Sequence, residues 1–324
     1  MNTGQGRGEH PAVVLLNMGG PDSLEAVRPF LENLFSDPDI LRFPLSGVLQ
    51  KPLARWIASR RSRRVRPQYE RIGGKSPLAE ITLAQAARLE EALASQWPGV
   101  RVHVAMRYWH PRAAAVARAL REDGAGRILV VPLYPHYCRA TTGSSLKDLE
   151  AALRAEGLGG VPRTVVRSWY DFPPYADALA ETVGEALDEV PGATVLFSAH
   201  GVPVRLIEAG DPYLDQVRGT VAAVMERLPG VPHRLAFQSR TGPVRWLEPS
   251  VERALEALAR EGVRRVVVVA VSFVSDHIET LYEIDVQYRA LAESLGLEGF
   301  RRVPALNTRP SFIRALAELV RTHA

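Results

Sequence analysis

The sequence predicts an α/β protein made of two similar doubly wound, Rossmann-like domains with parallel sheets. Three observations carry that expectation. Short runs of valine, isoleucine and leucine alternate with longer stretches of helical period. The runs are nearly continuous in apolar residues, as in strands covered on both faces, and so imply a parallel sheet between helices. The chain also repeats itself. Segment 102–107 followed by Pro111 has a counterpart in 234–240 followed by Pro243, and the run 128–133 is echoed at 266–273.

Taken in order, strands are expected at 12–18, 102–107, 128–134, 164–168, 194–198, 234–238 and 265–274. Helical periodicity places helices at 82–95, 112–122, 175–187, 214–228, 251–261 and 278–295. Asp171-Phe172-Pro173-Pro174 reads as the crossover between halves. The first domain is therefore expected at 1–172 and the second at 173–308, with a C-terminal helix in 309–324 packing back on the first. Leu45, Val48, Leu49, Leu53, Trp56 and Ile57 recur at helical spacing, and Pro52 is expected to interrupt that helix.

At 324 residues and 46% hydrophobic content the chain has ample material for a packed core. Its single cysteine, Cys138, excludes a disulfide framework, a thiolate zinc site and a four-cysteine iron–sulfur cluster within one chain. The longest apolar stretch, 266–271, falls far short of the ~20 residues of a membrane span. Residues 1–10 are polar and lack the apolar core of a signal peptide, so a cytoplasmic location is expected. A net charge of +4, scattered along the chain, does not point to nucleic acid. All but three of the 40 basic residues are arginine, whose fork suits carboxylates and phosphates; a GC-rich codon bias gives the same excess.

Ligands of such sheets gather beyond the carboxyl ends of the strands, so the residues following each run are the informative ones. After the first come Asn17-Met18-Gly19-Gly20-Pro21, a sharp turn or a close approach to ligand, with no dinucleotide or P-loop fingerprint. Thr141-Thr142-Gly143-Ser144-Ser145 suits a helix cap or an anion site. Ser198-Ala199-His200-Gly201 puts a histidine at a strand end, where it can move protons, ligate metal or simply satisfy a polar position. Asp276, Glu279 and Glu283 fall at i, i+3 and i+7, which is one acidic helix face or a variant capping box. Histidine with stacked carboxylates suits a hard or borderline divalent cation. An apolar stripe running into Arg60, Arg61, Arg63, Arg64 and Arg66 fits a packed helix with a solvated charge run, an anionic membrane surface, or a flat apolar ligand with carboxylate edges.

Together, Leu16-Asn17-Met18-Gly19-Gly20-Pro21, Gln68-Tyr69-Glu70-Arg71-Ile72-Gly73-Gly74, Ser198-Ala199-His200-Gly201-Val202-Pro203 and Ser275-Asp276-His277-Ile278-Glu279-Thr280-Leu281-Tyr282-Glu283 resemble the signature segments of ferrochelatases. Those enzymes insert Fe²⁺ into a porphyrin to form haem. The likeness runs in order from about Val13 to the C-terminus. It implies two doubly wound domains with the active-site cleft between them, and porphyrin and ferrous iron as substrates. His200 matches the active-site histidine, as proton acceptor or metal donor, and Glu279 the carboxylate facing it and a second metal-binding residue, with Glu279 and Glu283 relaying protons outward or ligating incoming Fe²⁺. Asp276 and His277 match supporting positions. Met18, Tyr69, Ser76, Arg107, Tyr108, Trp246 and Phe273 match porphyrin-lining positions. Segment 43–66 matches a lip that touches the bilayer in membrane-associated members, with Arg60 and Arg61 toward propionates or lipid, which implies peripheral contact at the inner membrane face. Cys138 sits one place off the cluster ligand of some members, so no [2Fe–2S] cluster and no tightly bound cofactor are expected. Met18, where coproporphyrin-using members often carry tyrosine, leans toward protoporphyrin IX over coproporphyrin III. The alternatives are a cobalt or nickel tetrapyrrole chelatase on the same fold, and a non-catalytic tetrapyrrole carrier.

Overall fold

The computed structural model describes residues 11–41, 46–240, 242 and 244–324. It divides into two compact units, one of 1–134, 139–168 and 313–324, the other of 135–138 and 169–312.

In the first unit, β1 (Ala12–Asn17) leads to α1 (Val27–Phe35), α2 (Ser46–Arg71) and α3 (Leu78–Ala94). Then come β2 (Val102–Met106), α4 (Ala113–Glu122), β3 (Ile128–Pro132), a short π-helical turn (Arg139–Gly143), α5 (Ser144–Ala155) and β4 (Arg163–Val165). The four strands are parallel in the order β2-β1-β3-β4. The inner strands β1 and β3 are almost wholly buried, which is why their sequences are apolar without alternation. Val14, Leu16 and Val130 pack with Val116, Leu120 and Leu153 of α4 and α5. Each such aliphatic side chain stabilises the fold by about 1.5–3 kcal/mol.

The second unit begins with α6 (Pro173–Glu189), β5 (Thr194–His200), α7 (Val204–Glu208) and α8 (Tyr213–Glu226). It continues with β6 (His233–Gln238), α9 (Val251–Arg260), β7 (Arg265–Ala270) and a ten-residue π-helical segment (Glu279–Tyr288). The last elements are α10 (Arg289–Ser294), β8 (Gly299–Arg302) and α11 (Pro310–His323), most of which belongs to the first unit. Its sheet order, β6-β5-β7-β8, repeats that of the first. The duplication read from sequence is therefore real at the level of topology.

Three expectations change. The residue equivalent to Pro111 is Pro249 rather than Pro243, which lies outside the described residues. Met106 N–H donates to the Pro111 carbonyl at 2.7 Å, and Phe237 N–H donates to Pro249 at 2.9 Å. Pro52 does not end its helix, because α2 runs through both Pro52 and Pro67. Buried Ala54 and Ala58, and the Gln50 amide on the carbonyls of Phe35 (3.2 Å) and Leu41 (2.7 Å), hold α2 in place despite the lost backbone donors. Strand β8 was missed, since a four-residue edge strand ending in two arginines has no apolar run to announce it.

Candidate active site

Parallel register assembles the second-unit site. β5 and β6 are paired so that His200 lies opposite Gln238, with Ser239 next in the chain. β5 pairs with β7 up to Ser198 opposite Ala270, so Ser272 and Phe273 emerge at the same sheet edge. Gly201 is required by packing: a Cβ there would stand 2.7 Å from the Gln238 carbonyl, and the Gly201 N–H donates to that same oxygen at 2.8 Å. His200 is held by its backbone. Its N–H donates to Ser272 Oγ at 3.2 Å, and its carbonyl accepts from the Tyr213 hydroxyl at 2.9 Å.

The His200 imidazole meets Glu279 through Nδ1, 2.8 Å from Oε2. Among the described residues, Nε2 has no hydrogen-bond partner. Burial pulls the imidazole pKa down, but the Glu279 carboxylate, its hydrogen bond and the more distant Glu283 outweigh it, leaving the pKa above the ordinary 6.5. About a third of the side chain, 36%, stays exposed, so the opposing pull of burial is incomplete. Burial pushes Glu279 upward, yet the His200 charge and hydrogen bond hold it below the ordinary carboxylate range. Glu283 is raised, first by burial and then by the charge of Glu279.

Ser239 joins the two carboxylates and was not picked out from the sequence. Its Oγ lies within hydrogen-bonding distance of Glu279 Oε2 (3.1 Å) and of Glu283 Oε2, and its N–H donates to Glu283 Oε1 at 2.9 Å. One hydroxyl carries one proton, so it serves one carboxylate at a time. The Tyr288 hydroxyl donates to Glu283 Oε1 at 2.9 Å, and the Gln238 amide reaches Glu283 Oε2 at 3.3 Å. Ser239 has φ +63°, a left-handed conformation that costs a non-glycine residue about 1–2 kcal/mol and that these bonds retain. Its position directly after a strand was the available signal.

The acidic row is split. Asp276 precedes the π-helical segment, in residues that are not helical, so helical spacing does not set it on the face of Glu279. Asp276 points elsewhere, accepting from Arg302 Nη1 (2.7 Å), Asn307 Nδ2 (2.8 Å) and Thr280 Oγ1 (2.9 Å). Neither the shared acidic face nor the capping box holds, since the segment has no side-chain N-cap. His277 is buried, its Nδ1–H donates to the Ser275 carbonyl at 3.1 Å, and burial lowers its pKa. Phe273 stands edge-on between His200 (6.1 Å) and His277 (4.3 Å). Trp246 pairs by backbone with Pro203, packs 3.6 Å from the position of a Gly201 Cβ, and has a buried indole N–H without a partner among the described residues. Among the described residues no group of three or more His, Cys, Asp or Glu side chains is placed to hold a metal ion.

The first unit gathers the other predicted residues around β1 and β2. Gly19, at φ +84°, makes a turn, and Gly20 is needed because a Cβ would meet Ser76 Oγ at 2.5 Å. Met18 is half-buried beside it, and Tyr69 and Ser76 are buried. Arg107 donates to Asp37 Oδ2 (2.8 Å) and Ser144 Oγ (2.7 Å). Tyr108, expected on the ligand face, is only 2% exposed, with its hydroxyl on Asp37 at 2.7 Å. Asp37, another residue the sequence did not single out, is pushed up by burial but brought below its ordinary pKa by Ser144, the Asp39 N–H, Tyr108 and Arg107. Ser144 therefore serves Asp37 rather than capping α5, whose N-cap is Gly143. Arg60 stacks over exposed Trp56 at 4.7 Å, while Arg61 is half-buried. Phe43, Leu45 and the side chain of Val48 lie outside the described residues.

A family model for ferrochelatase matches residues 10–324. The chain belongs to the ferrochelatase family. A ferrochelatase of Geobacter metallireducens is 52% identical over 316 residues, covering 97% of this chain and 98% of its own. One of Cyanothece sp. is 50% identical over 315 residues, covering 95% of this chain and 81% of its own. The same fold occurs in SirB of Bacillus subtilis with Fe³⁺, at TM-score 0.55 and 16% identity, over 73% of this chain and 87% of that one. It also occurs in CbiX, described as the terminal enzyme of sirohaem biosynthesis in denitrifying bacteria, at TM-score 0.52 and 16% identity, over 96% and 98%. As a ferrochelatase this protein is a metal chelatase that inserts iron into a porphyrin to make haem. No described helix is long and apolar enough to cross a membrane.

Proposed function

We propose that this ferrochelatase acts on protoporphyrin IX and uses His200 as the acceptor of a pyrrole proton. The observation behind this reading is the Nδ1–Glu279 hydrogen bond at 2.8 Å. It fixes the neutral tautomer with its proton on Nδ1 and the lone pair on Nε2. A carboxylate beside the ring then stabilises the imidazolium that forms, as in other His–carboxylate pairs. Iron insertion needs two pyrrole protons removed, so the acceptor must discharge between steps. Ser239 bridges Glu279 to Glu283, and the raised pKa of Glu283 makes it the carboxyl better able to take a proton onward. Phe273 and Trp246 supply apolar surface against which a macrocycle can be held bent, a distortion of about 1–5 kcal/mol.

The porphyrin preference rests on Met18, an apolar side chain at the end of β1. Anaerobic Fe²⁺ insertion with protoporphyrin IX and coproporphyrin III side by side should give kcat/KM at least about tenfold higher for the former, the discrimination one misplaced group commonly causes. Equal values, or a preference for coproporphyrin, would overturn the assignment.

Contact with a membrane surface is proposed for α2. Trp56 and Leu49 are exposed, at 57% and 41%, with exposed Arg60, Arg63 and Arg64 nearby in sequence. Apolar side chains beside guanidinium groups suit an anionic bilayer. Vesicles containing phosphatidylglycerol should sediment the protein, vesicles of phosphatidylcholine alone should not, and Trp56→Ala with Arg60→Ala should lower the bound fraction several-fold. Equal binding to both vesicle types refutes this reading.

A further inference from the structure

We propose that Arg302 is a positioning residue for metal insertion, clamping from strand β8 the π-helical segment that carries Glu279 and Glu283. The inference rests on the reading that these two carboxylates handle protons.

Helices with i→i+5 bonds are rare, and most are single turns within α-helices. A ten-residue run, Glu279–Tyr288, therefore calls for restraint from outside the segment. Arg302 supplies it at two points. Its Nη1 donates to Asp276 Oδ1 at 2.7 Å, ahead of the segment, and its Nε donates to Asp285 Oδ2 at 2.7 Å, beyond Glu283. The side chain is 10% exposed, so water offers little competition for either bond. A planar guanidinium fixes the directions of both bonds at once, and a lysine ammonium cannot reproduce that fork. Neighbours reinforce both anchors. Asn307 exchanges hydrogen bonds with Asp276, its Nδ2 donating at 2.8 Å and its Oδ1 accepting at 2.9 Å. Arg289 ties Asp285 Oδ1 (3.2 Å) to the Phe300 carbonyl (2.7 Å) on β8.

The two glutamates between these anchors are the ones that meet on Ser239. Rewinding the segment toward α-helical geometry would turn them relative to Ser239 and His200. Arg302 itself is bonded to neither glutamate, nor to His200, so its effect on rate runs through the segment.

The test uses Arg302→Lys and Arg302→Met in the full chain, with Zn²⁺ insertion kinetics, thermal melting and amide hydrogen exchange of 279–288. Arg302→Lys should keep Tm and the porphyrin KM near wild type. Its kcat should fall about tenfold to a hundredfold, the cost of small misplacement of reacting groups, and the segment's amides should exchange faster. Arg302→Met should lose more; if it fails to fold, Arg302→Lys and Asp285→Asn decide. Retained kcat in Arg302→Lys despite faster exchange overturns the proposal. So does a parallel loss of Tm, porphyrin KM and kcat, which marks a purely structural role. Glu279→Gln, measured alongside, separates the two levels: full activity there removes the carboxylate reading, whereas activity lost there but kept in the Arg302 variants removes only the clamp.

Discussion

Replacing His200 with alanine should abolish iron insertion, by about a thousandfold or more, with the fold intact. General-base groups contribute about 10²–10⁴ in rate, and the neighbouring imidazole, His277, is buried with its Nδ1–H on the Ser275 carbonyl. The backbone bonds of His200 to Ser272 and Tyr213 do not involve its ring, so the strand end survives the substitution. The ring is partly exposed, and Glu279, left without its partner, can take up a proton, so Tm should fall by about 2–4 °C for each kcal/mol lost. Anaerobic Fe²⁺ or Zn²⁺ insertion followed by fluorescence, with a melt of each variant, measures both. Near-normal turnover would sink the assignment. The wild-type pH profile belongs to the same prediction. The acceptor must be neutral, and its pKa lies above 6.5, so kcat/KM for porphyrin should rise with pH through a midpoint higher than that of free imidazole. A midpoint at or below 6.5 would contradict the carboxylate pairing.

Glu279→Gln should lower kcat at least about a hundredfold. The amide can still accept from Nδ1–H, so tautomer and orientation persist while the charge that raises the histidine pKa is gone. The pH midpoint of the residual activity should therefore move down, toward ordinary histidine. A Glu279 that only supports the helix would give the opposite split, a lower Tm with an unchanged rate and midpoint.

Much of this was legible in the chain itself. Continuous apolar runs announced the inner strands, since burial on both faces leaves no place for polar alternation. The rule that ligands lie beyond strand ends led to His200 and to the segment after β7 without any contact being known. Ser239 and Asp37 escaped because their importance is entirely a matter of partners. A serine or aspartate in a turn looks the same whether it faces water or two carboxylates. Asp276 differs for a related reason: one-face arithmetic assumes one continuous helix, whereas Asp276 lies ahead of the π-helical segment and is bonded to Arg302 and Asn307, far along the chain.

By itself the sequence determined the fold class and the internal repeat, because apolar periodicity is a local property, and its ordered signature segments carried the family. Only the tertiary structure decided which carboxylate pairs with His200, which one is raised, and which is bonded to Arg302. Those outcomes depend on distances of about 3 Å between residues up to 79 positions apart, and at that range electrostatics and hydrogen bonding outweigh local sequence.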